Sequence, residues 1–212
     1  HYPNSSLVVL ENTVNKGGGS CYTLAQIAPI HHLCNIKGLK LHLDGARIFN
    51  ALVATGDKAA DYGQYFDGIS VCLSKGLGAP IGSVLLGSKE TINKARKIRK
   101  AFGGGMRQAG FLAAAGIYAL DNHVTRLKDD HAHAKALAQA LSKTKYVKSV
   151  LPVETNIVVF EVADGQAQKI VHHLKEKGLL CNTTSSNTIR LVTHLDLSAA
   201  MIDRAIEIIL HL

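Results

Sequence analysis

Tryptophan is absent from this 212-residue chain, methionine occurs twice, and cysteine and proline occur four times each. The cysteines, Cys21, Cys34, Cys72 and Cys181, have neither the paired spacing of a metal knuckle nor the density of a disulfide scaffold. Their simple interpretation is a reduced, cytoplasmic setting. No apolar stretch approaches the ~20 residues that a membrane span needs, so no membrane partner is expected. The opening residues, His-Tyr-Pro-Asn-Ser-Ser, lack a signal-peptide pattern. Internal repeats and low-complexity segments are missing too, apart from the short flexible run Gly17-Gly18-Gly19-Ser20.

Acidic residues are in deficit, 16 against 24 basic ones, for a formal charge of +8. A basic balance invites nucleic acid as a partner, so its distribution matters. The segment Lys89 to Lys100 holds six basic residues and one acidic one, and its apolar residues Ile92, Ala95, Ile98 and Phe102 recur at helical spacing. One amphipathic helix with a basic outer face therefore accounts for most of the excess. With no aromatic interleaving and no binding motif, nucleic acid is not expected.

What is present is an ordinary globular composition, 47% hydrophobic and 19% charged, with enough length for a large domain and a small one. Strand-like runs at Leu7 to Leu10, Lys40 to Leu43, Gly68 to Leu73 and Ser83 to Gly87 alternate with helix-like ones at Leu24 to Lys37 and Ala46 to Thr55. That alternation predicts an α/β fold with a mostly parallel sheet. A helical stretch from Gln108 to Ser142, bent or broken near Asn122, follows. Strands at Ile157 to Val162 and Thr188 to Thr193 then bracket a helix at Gln166 to Lys177, and Ser198 is an N-cap candidate for a last helix. We expect two domains, residues 1–125 and a small α/β domain over 126–212.

Two strand ends carry chemistry. The apolar run Leu39 to Leu43 stops at Asp44-Gly45-Ala46-Arg47, and the run ending at Leu73 stops at Ser74-Lys75-Gly76. Ligand sites of open α/β sheets lie outside the carboxyl ends of strands. An amine, a carboxylate and a guanidinium delivered there are what pyridoxal phosphate requires. Ser74, Gly76, Gly78 and Ala79 leave room beside Lys75 for a bulky planar ligand, and burial would depress the Lys75 amine pKa and make it a nucleophile. Asp44 can also cap the helix from Ala46, and Arg47 can be its i,i+3 partner on that helix. Arg190 interrupts the apolar strand Ile189-Arg-Leu-Val-Thr and needs a partner, either an internal carboxylate or a substrate carboxylate held bidentately. The histidines at 31/32, 172/173 and 131/133 are expected on helix faces, without convincing metal spacing.

The strings LHLDGARIFNA (41–51), LSKGLGAPIGS (73–83), GGGMRQAG (103–110) and IRLVTHLD (189–196), in this order, resemble the low-specificity L-threonine aldolases. These are pyridoxal-phosphate lyases with the aspartate aminotransferase fold (fold type I). The resemblance implies a seven-stranded-type sheet whose N-terminal part is missing here, the chain being the C-terminal two-thirds of a longer protein. It implies a large cofactor-binding domain over 1–125, Lys75 as the Schiff-base lysine, Asp44 on the pyridine nitrogen and Arg47 beside the phenolic oxygen. Arg190 would take the substrate α-carboxylate, and Arg107, with Lys100, the cofactor phosphate of a neighbouring protomer in a dimer of dimers. His1 aligns with a histidine near the substrate hydroxyl, where it can act as catalytic base. The implied reaction is cleavage of L-threonine or L-allo-threonine to glycine and acetaldehyde. Another fold-type-I lyase performing β-elimination, or an inactive binding or assembly subunit, stands as the alternative.

Overall fold

The computed structural model describes residues 4–212; the candidate His1 lies outside the described residues. Two compact units form, residues 4–13 with Cys21–Thr125, and Val14–Ser20 with Arg126–Leu212.

The first unit is built on a four-stranded sheet, β1 (Leu7–Glu11), β2 (Lys40–Gly45), β3 (Gly68–Cys72) and β4 (Ser83–Gly87), in that spatial order. β1, β2 and β3 are parallel and β4 runs antiparallel to β3. Parallel neighbours need helical crossovers. These are α1 (Leu24–Lys37) between β1 and β2, then α2 (Ile48–Thr55) and the short α3 (Ala59–Gly63) between β2 and β3. α1 begins at a capping box, with Thr23 Oγ1 accepting from Gln26 N–H and Gln26 Oε1 accepting from Thr23 N–H, and it stops at Gly38 in the left-handed region (φ 64°). Such a cap contributes about 1 kcal/mol. The core gathers Ile27, Leu41, Leu43, Ala51, Tyr62 and Val71, and each fully buried large apolar side chain stabilises by roughly 1.5–3 kcal/mol. α4 (Lys89–Ala101) and α5 (Gly110–Asn122) follow β4. Of the stripe expected to bury α4, Ile92 and Ala95 are half-buried while Ile98 and Phe102 stand exposed.

The second unit starts with α6 (Leu127–Leu141), so the long helical stretch is broken after Asn122. Its sheet is antiparallel throughout, in the order β5 (Val147–Val150), β6 (Ile157–Val162), β8 (Thr188–Val192), β7 (Asn182–Thr183). Alternation along β6 and β8 sends Val158, Phe160, Val162, Ile189 and Leu191 into a core shared with Leu137, Leu141 and Leu174. Helices α7 (Ala167–Glu176) and α8 (Ala199–Leu210) complete it, α8 capped by Ser198 Oγ accepting from Met201 N–H. Val159, Glu161, Thr188 and Arg190 have the opposite parity. Among the described residues no helix is long and apolar enough to cross a membrane, and no group of three or more His, Cys, Asp or Glu side chains could hold a metal ion.

Candidate active site

The parallel strands of the first unit end together, and their carboxyl ends carry Asn12-Thr13, Asp44 and the loop that bears Lys75. Register places Glu11 opposite Asp44 and Asp44 opposite Ser70. Asn12 N–H donates to the Asp44 carbonyl (2.9 Å). The Asn12 side chain is fully buried and ties two more segments to this point. Its Nδ2 donates to the Tyr22 carbonyl (3.2 Å) and to the Tyr62 hydroxyl (3.4 Å), and its Oδ1 accepts from Tyr22 N–H (3.2 Å). Close beside it, the single proton of the buried Tyr62 hydroxyl has the Tyr22 carbonyl (3.1 Å) and the Asp57 carboxylate (3.3 Å) as acceptors within reach, and burial first, then Asp57, pushes that phenol up to about 12. Thr13 Oγ1 is buried with no hydrogen-bond partner among the described residues. The sequence singled out neither Asn12 nor Thr13; the only signal was their position at the end of an apolar run.

Asp44 is half-buried and its Oδ1 accepts from Ala46 N–H at 3.0 Å. The expectation that it caps a helix starting at Ala46 is corrected. The helix starts at Ile48, its N-cap is Arg47, and no side chain caps it. Asp44 therefore closes a tight turn out of β2, and Arg47, with φ −135°, shares no helical face with it.

Lys75 sits in the ten residues between β3 and β4. Leu73 N–H donates to the Gly82 carbonyl (2.9 Å), Ala79 N–H to Leu73 (3.0 Å) and Gly78 N–H to Lys75 (2.9 Å). Gly78 takes a positive φ of 70°, which a glycine adopts without strain. Leu77 and Ala79 are buried and anchor the loop, whereas Lys75 itself is exposed. The expected burial of its amine is thus corrected: the small neighbours open the loop around Lys75. Cys72, at the end of β3, feels the same surroundings. Burial pushes its thiol up, but hydrogen bonds from Ser74 and Ser83 and the charge of Lys75 outweigh that and hold it below the usual range.

Lys100 is exposed near the end of α4, and Arg107 is exposed after Gly103-Gly104-Gly105. In the second unit Arg190 is half-buried on β8. Its Nη1 donates to Asn15 Oδ1 at 2.9 Å, and its Nε is buried with no acceptor among the described residues. A cavity of about 530 Å³ opens beside it, lined by Asn15, Lys16, Val159, Glu161, Thr184 and Thr188 among others. Among the described residues neither an internal carboxylate nor a paired fork satisfies Arg190, and this geometry suits an anionic oxygen acceptor. The donor set also fits pyridoxal phosphate: an open amine beside glycines, a carboxylate at the neighbouring strand end, and an unmatched buried hydroxyl at the next.

Residues 1–165 match the model of the beta-eliminating lyase family. The chain belongs to that family. It is 42% identical over 197 residues to low-specificity L-threonine aldolase 1 of Arabidopsis thaliana, covering 91% of this chain and 55% of that protein. It is also 42% identical over 198 residues to the low specificity L-threonine aldolase of Escherichia coli K12, covering 93% of this chain and 57% of that protein. The chain thus spans little more than half the length of these relatives. The threonine aldolase of Leishmania major superposes with a TM-score of 0.80 at 22% identity, over 96% of this chain and 60% of that one. The α/β architecture is that of fold-type-I pyridoxal-phosphate enzymes.

Proposed function

We propose that a protein carrying this chain is a pyridoxal-phosphate-dependent aldehyde lyase that cleaves L-threonine and L-allo-threonine to glycine and acetaldehyde. The observation that carries this reading is Asp44 and the Lys75 loop at the carboxyl ends of adjacent parallel strands, in a chain 42% identical to low-specificity threonine aldolases.

When bound, pyridoxal phosphate supplies an electron sink for the bond broken at the amino acid α-carbon. Lys75 Nζ would anchor it covalently, and the Asp44 carboxylate would hold the proton on its ring nitrogen. Arg47 would lie beside the phenolic oxygen. Arg107, with Lys100, would neutralise the phosphate held by a second copy, which requires at least a two-fold dimer with shared sites; the family resemblance extends this to a dimer of dimers. Arg190 would grip the α-carboxylate and so orient the Cα–Cβ bond. To His1 we assign the proton of the β-hydroxyl. We place the protein in the cytoplasm, with no nucleic-acid or membrane partner.

Three measurements test this. Borohydride reduction of the cofactor-loaded protein is expected to tag the peptide containing Lys75; a tag on another lysine sinks the assignment. Acetaldehyde is expected from threonine, whereas pyruvate from serine or cysteine without acetaldehyde would make the protein a β-eliminating lyase. No visible absorption after cofactor is added would make it an inactive binding or assembly subunit.

A further inference from the structure

Another cavity, of about 440 Å³, opens in the second unit and shares no lining residue with the cavity beside Arg190. One part of its wall comes from α7. Gln166, Lys169, Ile170 and His173 recur there at spacings of three and four, which puts them on one helical face. Ala167 and Leu174, on the flank of that face, are buried and fix the helix against the core. Lys145, Tyr146 and Lys148, at the start of β5, supply another part. The pairing of β5 with β6 shifts register between Val147 and Ser149, and such an irregularity re-aims the side chain at its centre, Lys148.

The cavity gathers charge of one sign over an apolar floor. Lys145, Lys148, Lys169 and His173 line it and no acidic residue does; none of the four has an ion pair among the described residues. Glu176, the one carboxylate of α7, pairs with His172 at 3.3 Å instead. Lys169 and a protonated His173 are four residues apart, where like charges destabilise a helix. Tyr146 and Ile170 contribute the apolar surface. The Tyr146 hydroxyl donates to the Ile209 carbonyl at 3.1 Å, which leaves the ring to the cavity. Burial pushes that phenol up to about 12, so it adds no negative charge.

A phosphate suits these donors better than a carboxylate does. Lysines act as point charges that spread over the oxygens of a phosphate, whereas the planar fork of a carboxylate is matched by arginine. No arginine lines the cavity. Its volume is that of a small-molecule pocket, with room for a ring beside the anion. We infer that this cavity binds a phosphate monoester with an aromatic body, the phosphate held by Lys145, Lys148 and Lys169 and the ring resting on Tyr146 and Ile170. The site uses none of the residues assigned to cofactor or substrate, and it stands whether or not those assignments do.

Phenyl phosphate is the probe, titrated into the full 15N-labelled chain and followed through the amides of residues 145–148 and 166–173. Saturable shifts are expected in both segments, weaker with inorganic phosphate or benzoate and absent with phenol. Lys148→Ala and Lys169→Ala are each expected to raise the apparent dissociation constant about fivefold, the upper end for an exposed ion pair, with an unchanged melting temperature. Lys97→Ala, which removes an equally exposed charge from α4, is expected to change nothing. Shifts confined to the loops of Lys75 and Arg107 would show that phosphate goes to the cofactor site alone, and would overturn the inference, as would no shifts at all. Equal affinity for inorganic phosphate would remove the aromatic body, and equal affinity for benzoate the phosphate; either overturns the ligand class. An effect of Lys97→Ala as large as that of Lys148→Ala would reduce the binding to net charge and overturn the site.

Discussion

His123 Nδ1 lies 2.6 Å from the carbonyl oxygen of Leu77, which ties the end of α5 to the loop two residues after Lys75. A carbonyl only accepts, so Nδ1 is the donor and the tautomer is set. Leu77 is buried, so the bond pins the anchored side of the loop while Lys75 stays open.

Replacing His123 by alanine is therefore expected to loosen that loop without unfolding the unit. A lost bond of this kind is worth about 1 kcal/mol, or roughly fivefold in local opening. Hydrogen exchange at Gly78 and Ala79, whose amides donate to Lys75 and Leu73, should accelerate by about that factor. Unchanged exchange would show that the contact does not restrain the loop.

Asp44→Asn is expected to leave the turn at Ala46 in place, since an amide oxygen also accepts from that N–H. Under the proposed function cofactor still binds, but cleavage slows. Losing one partner of a buried ion pair costs about 3–5 kcal/mol, or roughly two to four powers of ten in rate. Near-normal turnover would reduce Asp44 to a turn former.

Shared sites predict complementation. Lys75→Ala and Arg107→Ala proteins, each inactive, are expected to regain measurable activity once mixed and reassociated, because one hybrid site receives both intact residues. Verified mixed dimers that remain inactive would return Arg107 to the role of a surface charge.

Stability should fall with acid through His131. Burial, foremost, holds this imidazole below its ordinary value near 6.5, the Asp130 charge pulls it back up, and Lys135 lowers it further. In the window below 6.5 the unfolded chain takes up the proton and the folded one resists it, so stability declines as pH drops from 6.5 toward the depressed folded value. Urea midpoints are expected to decrease between pH 7 and 5.5, and His131→Gln should flatten that slope. An equal slope in the variant would assign the pH dependence to other groups.

Elements with clear ends were legible in the chain itself. β4, α1 and β6 occupy the expected residues because the short apolar runs stop at glycine or at Asp164-Gly165, and the helix lies between a capping box at Thr23 and Gly38. The short strands β5 and β7 were not legible, since four half-exposed residues and a two-residue edge carry too little hydrophobic signal. Asp44 and Lys75 could be singled out because apolar runs end at them, and a strand end is a local property. Their settings were not local. The turn at Ala46 moved the helix start past Arg47, and the loop anchored by Leu77 left Lys75 exposed. What the order of residues determined by itself is the strand and helix pattern and which side chains arrive at the strand ends. What only the tertiary structure decided is the company they keep: Asn15 beside Arg190 from 175 residues away, Asn12 joining β1 to Tyr22 and Tyr62, and the Gly19 carbonyl accepting from the buried Thr155 hydroxyl. Such partners are set by packing and by the need to satisfy buried polar groups, and neither leaves a periodic trace in the sequence.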